Sequence, residues 1–273
     1  MSGEPPSLVG IFGTGVMAHG IARLCLARGM GVVVRSGSDR RAIDLTAQLE
    51  RENPRYFVSA SVEDLPRCEL FLEATVEEAE TKCRVLAETE PSLPEDALIA
   101  TTTSSLSITA LASALRAPER FLGLHFFNPV SKMKLVELVA GVRTSRETVE
   151  RGRRFVERLG KHPLGSPDRA GFLVNRLLFP YLNAAARLAE SGFATAAEVD
   201  LAMSLGAGHP MGPFALIDLI GADVTATIGD SLHKEFGRSG DSPPPELRRR
   251  VTAGRLGRKT RQGYHPYPKK KRA

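Results

Sequence analysis

The chain has 273 residues, of which 42% are apolar and 25% are charged, and this globular balance excludes wholesale disorder and a coiled coil. At roughly 150 residues per domain, the length predicts about two domains. No apolar run approaches the ~20 residues that a membrane span needs, and the N-terminus lacks the basic and apolar parts of a signal peptide. The three cysteines have no metal-ligand spacing. We therefore expect a cytoplasmic protein with no membrane partner and no metal site.

The positive charge is confined to the C-terminal end of the chain. The net charge is +6, but residues 248–273 contain eleven Lys and Arg and no Asp or Glu, which leaves −5 on residues 1–247. The KKKR run at residues 269–272 is typical of a solvated terminus. A basic charge spread over the whole chain would suggest a nucleic-acid partner, whereas this distribution predicts none.

Short apolar runs alternate with amphipathic stretches through the first half of the chain. The amphipathic stretches cover residues 16–28, 77–89 and 107–115. The candidate strands cover residues 8–12, 31–35, 57–60, 70–74, 97–101 and 121–126. Alternation of strands and helices predicts an α/β fold with a mostly parallel, doubly wound sheet.

After about residue 165 the pattern is helical and contains no convincing strand. A long helix is predicted over residues 172–188, and Thr195 with Glu198 reads as a capping box that opens the next helix. Further helices are predicted over residues 213–221, 223–236 and 244–253. The SPDRAG segment at residues 166–171 is the best boundary. We therefore predict a dinucleotide-binding domain over residues 1–166 and an all-helical domain over residues 167–273.

A glycine-rich loop follows the first predicted strand and opens a helix. Gly13 permits a tight turn, Gly15 lets the backbone approach a pyrophosphate, and the small Ala18 lets helix and strand pack closely. Val16 and Met17 lie in the first helical turn, whose N–H groups face the phosphates. With a strand before it and a second strand after it, this loop predicts a Rossmann-type site for NAD or NADP.

The end of the second strand bears on which of these two cofactors binds. NAD sites place an acid there to accept hydrogen bonds from the ribose, but this chain has Ser36. A serine with Arg35 and Arg40 nearby would attract a 2′-phosphate, since guanidinium is a preferred phosphate partner. This favours NADP. NAD stays open as the alternative, because Asp39 remains available to the ribose.

His125 and Glu137 are the candidate acid–base pair. His125 lies near the end of an apolar strand, where ligands bind in open α/β sheets, and Glu137 lies on another apolar run twelve residues later. A turn between them could bring the carboxylate to the imidazole and build a base that acts near neutral pH. From spacing alone, a structural histidine is the competing interpretation.

The segment LHFFNPVSKMKLVELV resembles the central signature of the 3-hydroxyacyl-CoA dehydrogenase family, and the resemblance runs through nearly the whole chain. It includes the motifs LEATVEE, TTTSSLSI, LGKHP, AGFLVNRLLFPYLNAAARL, LGAGHPMGPFALIDLIG and GRKTRQGYHPYP. The resemblance implies an oxidoreductase that interconverts a 3-hydroxyacyl and a 3-oxoacyl thioester by hydride transfer with a nicotinamide cofactor. It also implies a homodimer formed through the helical domain.

The resemblance assigns roles to matching positions. His125 matches the catalytic acid/base, and Glu137 matches the carboxylate that orients it. Ser104 and Asn175 match residues that hydrogen-bond the reacting oxygen. The positions that match the nicotinamide pocket are Glu77, Lys82 and Asn128.

One departure from the family pattern bears on the cofactor and another on the substrate. The acid after the second strand is absent, and residues 38–56 have room for one short helix where the family carries a long helical hairpin that helps hold CoA. The thioester could therefore sit on CoA or on an acyl carrier protein, which would dock on basic residues such as Arg40, Arg41, Arg51 and Arg55. A specific alternative is a dehydrogenase of hydroxymalonyl-carrier protein in polyketide biosynthesis. A more remote alternative is a non-catalytic dinucleotide sensor.

Overall fold

The computed structural model describes residues 7–268, so the basic run predicted to be a solvated terminus, residues 269–272, lies outside the described residues. The described residues up to Phe172 form one compact unit, and those from Leu173 form a second. The boundary predicted after residue 166 falls within the segment that ends the first unit.

An eight-stranded sheet forms the centre of the first unit. Its strands are β1 (Leu8–Phe12), β2 (Gly31–Arg35), β3 (Val58–Ser59), β4 (Leu70–Glu73), β5 (Leu98–Thr101), β6 (Phe121–Phe126), β7 (Leu135–Ala140) and β8 (His162–Ser166). The strand order is β3-β2-β1-β4-β5-β6-β7-β8, and every neighbouring pair is parallel except β6 and β7. The first six strands have the order of a dinucleotide-binding sheet, so the predicted doubly wound fold is confirmed.

Two strands extend the predicted architecture. β7 coincides with the apolar run that carries Glu137, and its antiparallel pairing with β6 makes a hairpin. β8 has the sequence HPLGS and forms the sheet edge beyond β7. Its proline and glycine interrupt the apolar pattern that indicates a strand, since both residues are rare inside central strands, so the sequence does not predict β8.

Helices cover both faces of this sheet. They are α1 (Val16–Leu26), α2 (Asp39–Glu52), α3 (Ala79–Thr89), α4 (Ile108–Ala112) and α5 (Arg146–Arg158). Alternate strand residues point to opposite faces, so Ile11 packs into one core cluster and Phe71 into another. The first cluster contains buried residues of α1, α2 and α5, and the second contains those of α3 and α4.

The second unit is helical. Its helices are α6 (Val174–Glu190), α7 (Ala196–Gly206), α8 (Pro213–Ile220), α9 (Ala222–Phe236) and α10 (Pro245–Thr252). The capping box of Thr195 and Glu198 is present at the start of α7. Residues 173–268 contain isolated bridges but no strand, as predicted. Across residues 7–268, no helix combines the length and apolar character needed to cross a bilayer.

A buried carboxylate anchors the end of the second unit. Asp218 of α8 is 1% exposed and accepts hydrogen bonds from the backbone N–H groups of Tyr264 and His265, both at 2.8 Å, and from the Tyr267 hydroxyl at 3.1 Å. A carboxylate can be buried this deeply because these three donors satisfy its hydrogen-bonding capacity. Asp218 therefore fixes residues 264–267 against α8.

Candidate active site

The candidate residues of the first unit gather at one edge of the sheet. Gly13 follows the carboxyl end of β1, Ser36 that of β2 and Ser104 that of β5, while His125 lies at the carboxyl end of β6. The carboxyl ends of parallel strands share one edge, and ligands bind there where the strand order reverses, between β1 and β4.

The glycine loop has the geometry of a phosphate cradle. Gly13 has a φ of +143°, and a Cβ at this position would lie 2.3 Å from the carbonyl oxygen of Ala74, so only glycine fits. Its N–H donates to the carbonyl of Arg35 at 2.8 Å, which ties the loop to the end of β2. At Gly15, which caps α1, an added Cβ would meet nothing within 4 Å.

The start of α1 completes this cradle. Ala18 is fully buried in the core that α1 shares with β1, as the spacing predicts, while Val16 is exposed and Met17 is partly buried. The first turn of α1 carries no acidic residue that would repel a phosphate. The open space in front of Gly15 therefore faces free N–H groups and the positive end of a helix dipole, which fits a dinucleotide pyrophosphate.

The side chains at the end of β2 and just after it differ in whether they have hydrogen-bond partners. The Arg35 guanidinium donates to the carbonyl of Ala60 at 2.6 Å and pairs with Asp39 at 3.4 Å. The Ser36 hydroxyl accepts a hydrogen bond from the Ser38 N–H at 3.1 Å. Arg40, in contrast, is exposed on the first turn of α2. Arg35 therefore braces β2 against the chain after β3, and Arg40 is the more accessible of the two.

A buried ion pair lies beside this edge, and only one of its two residues, Lys82, is predicted from the sequence. Glu73, at the end of β4, is fully buried and accepts hydrogen bonds from the Lys82 ammonium at 2.9 and 3.1 Å. The Thr101 hydroxyl donates to the same carboxylate at 2.6 Å, as does the Thr75 N–H. Lys82 was predicted to contact the cofactor, and the structure places it almost wholly out of solvent. A glutamate inside the apolar run LFLEA is the signal that could have identified Glu73.

Glu77 is bound to the loop that carries Ser104. One carboxylate oxygen accepts hydrogen bonds from the three hydroxyls of residues 103–105 and from the N–H groups of Ser104 and Ser105, including the Ser104 N–H at 2.7 Å and the Ser104 hydroxyl at 3.0 Å. The other oxygen lies 3.7 Å from the Lys82 ammonium. Burial by itself would raise the pKa of Glu77, but Lys82 and the loop donors outweigh burial and lower that pKa. The structure thus brings together three of the predicted site residues.

His125 and Glu137 face each other across the β6–β7 hairpin. The two residues are direct partners in the antiparallel register, and the imidazole Nδ1 lies 2.7 Å from Glu137 Oε2. The imidazole is 5% exposed and the carboxylate is fully buried. A hydrogen on Nδ1 donated to the carboxylate leaves Nε2 of the neutral ring as an acceptor. This arrangement can take up and release a proton.

Two aromatic rings contact the imidazole. The two remaining predicted residues are Asn128, three positions after His125, and Asn175, in the second unit. The ring centroids of Phe127 and Phe172 lie 4.5 and 5.5 Å from that of His125. Asn128 is exposed at the start of the turn after β6. Asn175 is buried in the first turn of α6, in the second unit.

Comparisons with known proteins agree with this architecture. The family model for the 3-hydroxyacyl-CoA dehydrogenase NAD binding domain matches residues 8–168, and the model for the family's C-terminal domain matches residues 171–267. A 3-hydroxybutyryl-CoA dehydrogenase of Bradyrhizobium diazoefficiens is 38% identical over 95% of this chain and 94% of its own length. The mitochondrial hydroxyacyl-coenzyme A dehydrogenase of Sus scrofa is 37% identical over 95% of this chain and 90% of its own.

A solved structure extends the likeness to three dimensions. The crystal structure of (S)-3-hydroxybutyryl-CoA dehydrogenase PaaH1 from Ralstonia eutropha superimposes with a TM-score of 0.88 at 36% identity, covering 97% of this chain and all of that one. Both domain models match in order, and the identity extends over nearly the whole length. The chain therefore belongs to the 3-hydroxyacyl-CoA dehydrogenase family, a family of enzymes that use a nicotinamide cofactor.

Proposed function

We propose that this enzyme interconverts 3-hydroxyacyl and 3-oxoacyl thioesters, with His125 as the acid/base. The buried His125–Glu137 pair, 2.7 Å apart at the carboxyl edge of the sheet, is the observation that carries the proposal. Relatives named 3-hydroxybutyryl-CoA dehydrogenase favour a short acyl chain such as acetoacetyl.

The glycine loop would hold the cofactor. The cradle of Gly13, Gly15 and the first turn of α1 fits the pyrophosphate, and the resemblance assigns Glu77, Lys82 and Asn128 to the nicotinamide half. When bound, the nicotinamide supplies or accepts the hydride. Lys82 would act through its ion pair with Glu73, since that pair orients the ammonium.

His125 handles the proton at the substrate oxygen. With Nδ1 bonded to Glu137, the imidazole Nε2 removes the 3-hydroxyl proton during oxidation and returns it to the carbonyl oxygen during reduction. The Glu137 carboxylate stabilises the imidazolium that forms. The Ser104 hydroxyl, which donates to Glu77 in this structure, would turn to the reacting oxygen and stabilise its developing charge. The assignment of Asn175 to that oxygen rests on the family resemblance.

A direct assay tests the acid–base assignment. Turnover of acetoacetyl thioester is followed through the absorbance of the reduced nicotinamide, with the parent enzyme and His125→Gln. The variant should lose about 10²–10⁴-fold in kcat while binding the cofactor normally, because only the proton transfer is removed. A folded His125→Gln enzyme with near-parental kcat would show that another group transfers the proton.

The cofactor preference in this proposal is for NADP over NAD. Ser36 stands where an acid would repel a 2′-phosphate, Arg40 is exposed four positions later in the first turn of α2, and Asp39 pairs with Arg35. A charge-assisted hydrogen bond contributes about 1.5–3 kcal/mol, so one arginine contact gives roughly ten- to 150-fold preference.

Three substitutions test the preference. Ser36→Asp should reverse it, and Arg40→Ala should weaken NADPH while sparing NADH. Arg51→Ala, an exposed arginine in the last turn of the same helix, is the matched control and should change neither. A parent enzyme whose kcat/KM is higher with NADH contradicts the preference and points to Asp39 as the ribose partner.

The carrier of the acyl group is CoA in this proposal, and an acyl carrier protein is the second candidate. The observation that favours the second candidate is the single helix α2 between β2 and β3, which leaves no helical hairpin to hold a CoA nucleotide. Turnover of one acyl group on CoA and on carrier protein, each with NADH and NADPH, separates the two. A hydroxymalonyl group on carrier protein tests the polyketide alternative, and absence of turnover with every donor would favour the sensor.

Association into a homodimer through the second unit is part of the proposal. This unit exposes large apolar side chains at unusually high fractions, 72% for Leu177, 80% for Phe193 and 79% for Leu205. Leu205 and Leu201, which is 60% exposed, lie four residues apart on α7 and so share one face of that helix, and an exposed apolar face is typical of a surface that a partner covers. Sedimentation of the parent and of Leu205→Glu tests it, since the charge should shift a dimer toward monomer.

A further inference from the structure

The segment from Ser166 to Phe172, which we call the junction segment, ends the first unit with a strained residue. Phe172 has a φ of +49°, and Gly171 before it has a φ of +74°. The left-handed region is uncommon for a residue with a bulky side chain, and such strain persists only where the surroundings hold it. The Phe172 N–H donates to the Arg169 carbonyl at 2.9 Å, and its ring is 4% exposed. The backbone is thus bent to keep this ring buried.

The buried ring lies against the imidazole of His125. The two ring centroids are 5.5 Å apart and the planes are tilted by 58°, within the range of favourable aromatic contacts. An apolar ring at this distance restricts water around the imidazole and limits its rotation about the side-chain bonds.

The other end of the junction segment reaches the carboxylate partner. The Ser166 hydroxyl lies 3.4 Å from Glu137 Oε1, whereas the imidazole Nδ1 lies 2.7 Å from Oε2 of the same carboxylate. Between the two ends, Asp168 accepts hydrogen bonds from the N–H groups of Ile108 and Thr109 at 2.7 and 2.8 Å. The segment is therefore anchored at its centre to the start of α4 and contacts one member of the acid–base pair at each end.

We propose that the junction segment positions the acid–base pair, with Phe172 as the main positioning residue for His125 and Ser166 as a smaller one for Glu137. This inference rests on the proposed function. The Phe172 ring keeps the imidazole in line with Glu137 and shields it from water. The strained backbone is the means by which a short segment delivers that ring.

Phe172→Ala tests the proposal through kcat and its pH profile. Misplacement of a catalytic group by a fraction of an ångström lowers turnover strongly, so we expect kcat to fall about ten- to a hundredfold with KM little changed. Phe172→Ala lets water reach the imidazole, and hydration favours the charged form of a histidine, so the midpoint of the kcat/KM profile should move to higher pH. Phe172→Tyr keeps the ring, so its kcat and its pH midpoint should stay close to those of the parent enzyme. Ser166→Ala should move the midpoint in the same direction by less, because a carboxylate with one donor fewer holds the imidazolium more strongly.

Phe172→Gly separates positioning from backbone strain. Glycine adopts a positive φ at no steric cost, so this variant should unfold at a higher temperature than Phe172→Ala. Its kcat and pH midpoint should nevertheless match those of Phe172→Ala. Phe155→Ala, which empties a fully buried core position on α5, is the matched control and should lower stability without moving the pH midpoint. If Phe172→Ala does not fold, Phe172→Leu keeps apolar volume without the ring and should move the midpoint in the same direction.

An unchanged pH midpoint in the folded Phe172→Ala, Phe172→Gly and Phe172→Leu variants would overturn the proposal, even if their kcat falls. A readout without turnover keeps this failure distinct from failure of the proposed function. The His125 imidazole C–H resonance, identified by its absence from His125→Gln, is titrated by NMR in the parent and in Phe172→Leu. A shift of its midpoint to higher pH supports the positioning role whatever the substrate, and coincident titration curves refute it.

Discussion

Replacing Glu137 by Gln isolates the charge that holds His125. Gln has the same shape and can still accept a hydrogen bond from Nδ1, which lies 2.7 Å from the carboxylate, but it cannot neutralise an imidazolium. The two side chains are 6% and 0% exposed, so solvent screens their interaction poorly. A hydrogen bond to a charged group contributes about 1.5–3 kcal/mol, which converts to a fall of roughly ten- to 150-fold in kcat.

The assay compares kcat for acetoacetyl thioester reduction with cofactor affinity measured by calorimetry. The imidazolium–carboxylate pair matters most when the ring is charged, so kcat should fall while the cofactor Kd stays near the parental value. Glu95→Gln, the same change at an exposed position, is the matched control and should leave kcat and the melting temperature unchanged. A folded Glu137→Gln enzyme with near-parental kcat would refute the reasoning that the carboxylate stabilises the charged ring.

Three further outcomes follow from the geometry. Gly13→Ala should destabilise the fold by about 2–4 kcal/mol in denaturant titration, because its Cβ would meet backbone 2.3 Å away, whereas Gly15→Ala should fold normally and weaken only cofactor binding. Asp218→Ala should lower the free energy of unfolding by about 2–5 kcal/mol, since two buried N–H groups lose their acceptor. An equal loss from Asp223→Ala, an exposed pair with Lys259, would contradict that explanation. Because the folded pKa of Glu77 is lowered, its contribution to stability should be complete above about pH 4.5 and lost as the pH falls through the lowered value. The unfolding free energies of the parent and Glu77→Gln, compared across acid pH, check this, and parallel curves would contradict it.

The alternation of apolar runs and amphipathic stretches determined the α/β class of the first half. A strand such as Leu8–Phe12 must bury both faces, and only helices packed on both sides of a parallel sheet provide that. The glycine loop could also be identified from consecutive residues, since the spacing of Gly13, Gly15 and Ala18 requires only a strand before it and a helix after it. The change to helical periodicity after residue 165 determined the class of the second unit in the same way.

Only the tertiary structure decided which side chains meet. The pairing of His125 with Glu137 depends on the antiparallel register of β6 and β7, and a shift by one residue would turn the two side chains to opposite faces. The burial of Lys82 against Glu73 depends on the packing of α3 on the end of β4, so its sequence neighbours could not distinguish it from a surface lysine. The placement of Phe172 against the imidazole depends on a left-handed backbone that no local propensity favours. Periodic burial is written into consecutive residues, whereas these contacts join residues from separate parts of the chain, so they become defined only when the sheet has formed.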